Sequence, residues 1–300
     1  MIEEKFIDLY AANSKVPVTI ARQEIVLTYV LALLREKNLL SQLAFKGGTC
    51  LRKVFFGKQY RFSEDLDFTG LEKAKSSTVL DEIKEAFSSP YYDISFQEVK
   101  GSARTTGGGV SAGIQFEYRT LAGTGTFGLE ISYRAQPIFP VTDKPLQQQS
   151  YYKQLEIVVP DVNTLNLEEI VAEKVRATFQ RTRPRDVYDL YFCFQKPISI
   201  PTVKTLTIVK CWEVRDPFNL DRFLSNLRST KYRWEELDFL LPKGSRPDAK
   251  KMVKLVESKV SIFANLSDQE KEIIEDSKRH REKLLVERVV ADQKGNMKSS

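Results

Sequence analysis

The sequence predicts an α+β protein whose N-terminal half carries a sheet and whose C-terminal half is mostly helical. In the first half, helical patterns alternate with short runs of period two. The turn-forming glycines Gly47-Gly48, Gly57, Gly107 to Gly109, Gly123 and Gly125 gather there as well. Beyond a polar, proline-bearing stretch from Gln136 to Gln149, helical periodicity dominates to the end. At 300 residues the chain has the length of two domains or one large one. The expected division is a domain over 1–160 and a helical domain over 161–300.

Composition narrows the chemistry. Hydrophobic residues at 42% are enough for a real core. The formal charge of +6 leans toward an anionic partner, although a plainly basic surface gives the same number. Cys50, Cys193 and Cys211 are far apart and form no C-x-x-C pair, so neither a disulfide framework nor a zinc site is suggested. His280 is the only histidine, which argues against a His-based triad or a His-ligated metal. The start, Met-Ile-Glu-Glu-Lys, is acidic and lacks a signal-peptide pattern. The longest apolar run, Ile25 to Leu34, is too short to span a bilayer. A cytoplasmic protein without a membrane partner is expected.

Residues 19–37 read as a buried core helix with Thr19 as its cap, because apolar residues cover more than one face. Leu43 to Lys46 reads as a strand and Gly47-Gly48 as a tight turn. Thr49 to Phe56 reads as a short helix ending at Gly57. Arg61 to Phe68 is a second strand, and 73–87 a helix. Ile94 and Phe96, then Ile114, Phe116 and Tyr118, alternate with polar residues, so a hairpin is expected. Its glycine-rich tip, Ser102 to Gly113, reads as a loose end. Phe127 to Tyr133 continues the sheet. A charged amphipathic helix is expected from Asp268 to Glu287, with a frayed tail from Lys294.

Strand geometry sets the first functional expectation. Side chains alternate between faces, so Asp65 and Asp67 share one face while Leu66 and Phe68 share the other. Two adjacent like charges repel, and a divalent cation such as Mg2+ removes the repulsion. A hydrated strand end would also carry D-x-D, and the motif alone is common. A calcium loop starting at Asp65 fails, since its twelfth position is Ser76 instead of a glutamate. Upstream, Gly47-Gly48-Thr49 opens a helix, where backbone N–H groups can approach a phosphate and the Thr49 hydroxyl can donate to it. No Walker A sequence is present. Glu130 shares a strand face with Ser132 and Arg134 and offers a third carboxylate.

Further on, Leu167 to Arg181 has a helical pattern with Leu167, Ile170, Val171, Val175 and Thr178 as its inner stripe. Lys174 falls within that stripe. It must either snorkel to solvent or meet an anion, such as a nucleotide phosphate. Arg183-Pro184-Arg185-Asp186 starts the next helix. There Asp186 either complements the helix end or, with Arg185, positions Lys174 or a substrate.

Four blocks in this order resemble the AbiEii/MenT family of nucleotidyltransferase toxins, within the DNA polymerase β-like nucleotidyltransferase superfamily. They are Phe45-Lys-Gly-Gly-Thr-Cys-Leu-Arg52, Arg61-Phe-Ser-Glu-Asp-Leu-Asp-Phe68, Leu167 to Ala177, and Arg183-Pro-Arg-Asp-Val-Tyr-Asp-Leu190. The resemblance covers about residues 40 to 195, and it is the combination that is specific. It implies a polymerase β-like domain with a mixed sheet followed by a helical domain, with the site in a cleft between them. It assigns the nucleotide-phosphate motif to Gly48 and Thr49, a Mg2+ or Mn2+ pair to Asp65 and Asp67, and a catalytic lysine to Lys174; Gly47, Ser63 and Arg185 are further nucleotide-binding candidates. Asp186 becomes the acid of the last motif, and Glu130 a looser third metal ligand. The implied activity is transfer of a nucleotide from an NTP to an acceptor, the 3′ end of tRNA, by a toxin with an antitoxin encoded nearby. The alternatives are transfer to a protein or small molecule, and a non-catalytic nucleotide-binding module. Bases at Lys204, Lys210, Arg215, Arg228, Lys231, Arg233, Lys250, Lys251 and Lys254, with Tyr232 and Trp234 among them, are candidate RNA contacts.

Overall fold

The computed structural model describes residues 3–71, 76–106 and 110–298. The chain forms two compact units. The first comprises Met1–Gln136, Val141–Leu165 and Leu237–Arg246; the second comprises Pro137–Pro140, Asn166–Glu236 and Pro247–Ser300.

The first unit opens with α1 (Glu4–Ser14) and α2 (Val18–Glu36). Every residue of α2 from Gln23 to Leu34 is buried, which makes it the core helix its all-round apolar pattern predicts. Thr19 is not its cap. Pro17 holds the N-cap position, where a missing N–H costs nothing. β1 (Leu43–Lys46) leads directly into α3 (Gly47–Cys50), which continues without a break as π-helical turns over Leu51–Phe56 and stops at Gly57, φ 66°. The expected turn and the helix start are thus merged: Gly47, with φ +75°, turns the chain and the helix continues from Gly48.

β2 is Leu66–Gly70, shorter at its start than the strand expected from Arg61. Phe62 N–H donates to the Leu240 carbonyl (2.7 Å) instead of to a neighbouring strand, so the ladder cannot extend back to it. α4 (Ser76–Ala86) matches the helix expected there; residues 72–75, where its start was expected, lie outside the described residues. β3 (Ser95–Glu98), β4 (Arg104–Thr106), β5 (Ser111–Thr120) and β6 (Gly123–Ser132) follow. Part of the expected loose tip is thus strand, with Arg104–Thr106 paired to Ser111–Gly113; Gly107 to Gly109 lie outside the described residues. β7 (Thr142–Pro145) and β8 (Asp161–Thr164) had no counterpart in the sequence reading, being too short to show a period.

Among the described residues these strands form one sheet in the order β3-β5-β6-β2-β1-β8-β7, with β4 also on β5. β2 runs parallel to β6 and β1 parallel to β8, while the other pairs are antiparallel. The sheet is mixed, as expected, and one of its sides is apolar. Phe45, Leu66, Phe68, Ile114, Phe116, Leu129 and Ile131 form the apolar side.

The second unit is helical: α5 (Leu167–Gln180), α6 (Pro184–Cys193), α7 (Ile200–Glu213), α8 (Leu220–Leu227), α9 (Ala249–Val260), α10 (Asp268–Asp276) and α11 (Lys283–Lys298). α5 packs on α6, α7 and α8. The Asn166 side chain caps α5 by accepting from Glu168 N–H (2.9 Å). The single helix expected over Asp268 to Glu287 is broken at Asp276. The Asp276 carboxylate accepts from Trp212 Nε1 and from the N–H groups of Arg281 and Glu282, each at 2.9 Å, and so closes a turn. His280 adopts φ 54° in that turn and stacks on the Trp212 indole, ring centres 3.8 Å apart. The expected frayed tail is helical to Lys298. Among the described residues no single helix is long and apolar enough to cross a membrane.

Candidate active site

In the first unit the glycine turn and the aspartate pair meet. Gly47 has φ +75°, and a Cβ placed on it would lie 2.1 Å from Oδ2 of Asp67. A Cβ on Gly48 would lie 2.3 Å from the Arg61 guanidinium and 3.1 Å from Oγ of Ser63. Only glycine lets these side chains close on the backbone where α3 begins. Lys46 pairs in register with Asp67 across β1 and β2, and Asp67 with Glu130 across β2 and β6. Asp65 stands one residue before β2. Its Oδ1 accepts from Gly128 N–H (3.0 Å), over a position that carries no side chain. Asp65 and Asp67 are half-buried and flank the buried Leu66, the alternation that strand geometry predicts.

Two of the expected residues have partners within the protein. Thr49 is fully buried, and its hydroxyl donates to the Asp65 carbonyl. It ties the start of α3 to the aspartate segment, and that hydroxyl is engaged within the protein. Glu130 is half-exposed, and its carboxylate sits 3.4 Å from the Arg104 guanidinium. Among the described residues no three His, Cys, Asp or Glu side chains converge as a metal-holding group. The donor set still fits Mg2+. That ion commonly takes one or two protein carboxylates and completes its shell with water and substrate phosphates, so Asp65 and Asp67 suffice.

Beneath this surface lies a buried charge network that sequence reading missed. Arg52 and Lys53, consecutive in the π-helical turns, both point inward to Glu24 of α2. Arg52 Nε is 3.1 Å and Lys53 Nζ 3.0 Å from its two carboxylate oxygens. Lys53 also donates to Thr28 Oγ1 (2.9 Å) and Tyr151 (3.3 Å), while the Arg52 guanidinium lies over the Phe62 ring (3.5 Å). Burial pushes the Glu24 carboxyl up, but Arg52 and Lys53 outweigh it and hold it below its ordinary value. The helical segment that starts at Gly47 is thereby fixed to the core. A glutamate directly before the apolar run of α2, Ile25 to Leu34, was the available signal.

In the second unit Lys174 meets carboxylates. Its ammonium lies 2.7 Å from Asp189 and 3.4 Å from Asp186, and both acids are fully buried. Asp186 also accepts from Arg181 Nε (2.8 Å) and Nη2 (3.1 Å). Burial would raise the Asp186 carboxyl, yet Lys174 and Arg181 overcome it and the net shift is downward. Snorkelling therefore does not describe Lys174. Asp189 and Arg181 escaped the sequence reading, although Asp186 and Asp189 share a helix face at i, i+3. Arg185 is half-buried in the first turn of α6. Several suggested RNA contacts are occupied elsewhere. Lys204 pairs with Glu270 (2.7 Å), and Lys210 with Glu169 (2.8 Å) and Glu173 (3.3 Å). Tyr232 is buried, whereas Lys250, Lys251 and Lys254 are exposed on α9.

A family model, that of the nucleotidyl transferase AbiEii toxin of type IV toxin–antitoxin systems, matches residues 30–259. Among solved structures the fold is similar to MenT4, a nucleotidyltransferase toxin from Mycobacterium tuberculosis H37Rv. The TM-score is 0.82 at 22% identity, over 98% of this chain and 99% of that one. JHP933 from Helicobacter pylori is similar at a TM-score of 0.49 and 19% identity, over 88% of this chain and 97% of that one. No curated protein sequence matches significantly. The family match spans the glycine–aspartate segment of the first unit and the lysine–aspartate pairs of the second, and the chain belongs to the AbiEii family of nucleotidyltransferase toxins.

Proposed function

We propose that this nucleotidyltransferase toxin acts with Mg2+ and adds a nucleotide from an NTP to RNA, at the 3′ end of tRNA, in the cytoplasm. The observation that carries the reading is Asp67 against the Gly47 backbone, with Asp65 and Asp67 flanking the buried Leu66 where β2 begins. Asp65 and Asp67 would hold the metal, which supplies charge neutralisation for the triphosphate when bound. The reading needs no third carboxylate.

The remaining roles belong to the chain itself. Backbone N–H groups at Gly47 and Gly48 bind phosphate oxygens, with Ser63 as a hydroxyl donor beside them. Arg185 contacts the nucleotide, and Lys174, oriented by Asp186 and Asp189, meets negative charge on the phosphates. The acceptor hydroxyl oxygen attacks the α-phosphorus and loses its proton to solvent. The bond to the β-phosphate oxygen breaks, and pyrophosphate leaves. The antitoxin partner implied by the family controls this activity.

The test incubates the protein with total RNA and each α-labelled NTP, with Mg2+ or with a chelator, beside the Asp67→Asn variant. Label in the tRNA band that requires both metal and Asp67 is the expected result. Label on protein with none on RNA would overturn the acceptor assignment, and labelling by a folded Asp67→Asn protein would overturn the metal assignment.

A further inference from the structure

The segment Leu237–Arg246 belongs to the first unit, although the sequence on either side of it belongs to the second. It is fastened at two points. Lys243 N–H donates to the Lys15 carbonyl (2.9 Å), and the Leu240 carbonyl accepts from Phe62 N–H (2.7 Å), three residues before Asp65. Lys15 sits at the elbow between α1 and α2, in a left-handed conformation with φ 54°. Between this elbow and the returning segment lies a groove of about 1000 Å³, lined by Lys15 to Pro17 on one side and by residues from Asp238 to Arg246 on the other.

The groove is basic. Lys15, Lys243 and Arg246 line it against a single acid, Asp238. Arg246 pairs with Asp238 (3.2 Å) at an exposed position, where such pairs contribute little and exchange readily. Among the described residues neither Lys15 nor Lys243 has an ion-pair partner, and both are exposed. The same segment presents Phe239, outside the groove's lining, with 68% of its surface exposed. Cations that follow a backbone, together with an exposed aromatic face, are the two elements of a single-stranded nucleic-acid surface.

We infer that this groove holds the single-stranded end of the RNA acceptor. Lys15, Lys243 and Arg246 contact successive phosphates and Phe239 stacks on a base. The inference rests on the RNA-acceptor reading above and adds the surface that holds the RNA. A compact triphosphate has its own place at Gly47, Gly48, Asp65 and Asp67. A groove without that carboxylate pair suits a ligand whose charge is spread along a chain.

The experiment measures binding of a labelled 12-nucleotide single-stranded RNA and of a tRNA transcript, at several salt concentrations. The proteins are wild type, Lys15→Glu/Lys243→Glu, Lys15→Gln/Lys243→Gln and Phe239→Ala, each checked by its thermal melt. Removing two phosphate contacts should weaken binding about ten-fold or more and make the slope of log K against log salt shallower by about 1.4. The glutamine pair should reproduce the change in slope. Phe239→Ala should weaken binding at an unchanged slope, and NTP affinity should stay at the wild-type value throughout. Wild-type RNA affinity and slope in both lysine variants would overturn the groove while leaving the acceptor reading standing. A wild-type protein that neither binds nor labels RNA would overturn the acceptor reading and the groove with it. Competition by poly-glutamate of matched charge as strong as that by RNA would overturn the assignment to nucleic acid.

Discussion

Lys174 is held by Asp189 across a 2.7 Å ion pair in which the aspartate is fully buried and the lysine side chain is 12% exposed. Asp189→Asn leaves Lys174 with Asp186 at 3.4 Å as its longer partner. Removing one member of a buried pair typically costs about 3–5 kcal/mol, and the retained partner should keep the loss near the lower end. Nucleotide transfer should fall further than stability does, because the ammonium loses its orientation. Urea unfolding and a pyrophosphate-release assay on the same preparations check both.

Glu213 gives a pH signature. Its Oε2 is buried without a hydrogen-bond partner among the described residues. Burial first, then the neighbouring Glu169 and Glu173 carboxylates, raise its pKa from 4.5 to about 7 despite Lys210. A carboxyl raised on folding contributes stability below its unfolded value of 4.5, and that contribution is lost as pH rises through about 7. Glu213→Gln should match wild type near pH 4 and exceed its stability at pH 8, by at most about 3 kcal/mol. Melting curves across that range decide it. A variant no more stable than wild type at pH 8 contradicts the assignment.

Gly47→Ala should separate activity from stability. The substitution places a methyl group 2.1 Å from Oδ2 of Asp67, at a φ of +75° that an L-residue resists. The backbone cost is about 1–2 kcal/mol. Asp67 must move, so metal-dependent transfer should drop by orders of magnitude while the protein still melts cooperatively a few degrees lower. Near-normal turnover would show that the position of Asp67 is not critical.

Glu24→Gln should be costly for the whole first unit, because it strands Arg52 and Lys53, 1% and 0% exposed, without their counter-charge. The expected loss is about 3–5 kcal/mol by urea unfolding. The triple change of Glu24, Arg52 and Lys53 to methionine should be milder than the single one, since no buried charge is then left alone. A single variant as stable as wild type would mean that the network contributes little.

What the sequence determined by itself is local. Period two is a property of one strand, so the shared face of Asp65 and Asp67 follows from Arg61 to Phe68 alone, even though the ladder begins only at Leu66. The all-round apolar pattern of α2 and the inner stripe of α5 follow in the same way from helical geometry. What the tertiary structure decided is which distant groups meet. The chain leading into β2 hydrogen-bonds Leu240, Thr49 donates to Asp65, Lys174 finds Asp189, and Arg52 and Lys53 turn toward Glu24. β7 and β8 exist only as partners of each other and of β1, four residues apiece. A buried charge takes the counter-charge that long-range packing brings to it, and a short strand takes the ladder it lands on. Neither choice leaves a period in the chain, so both become visible only after it has folded.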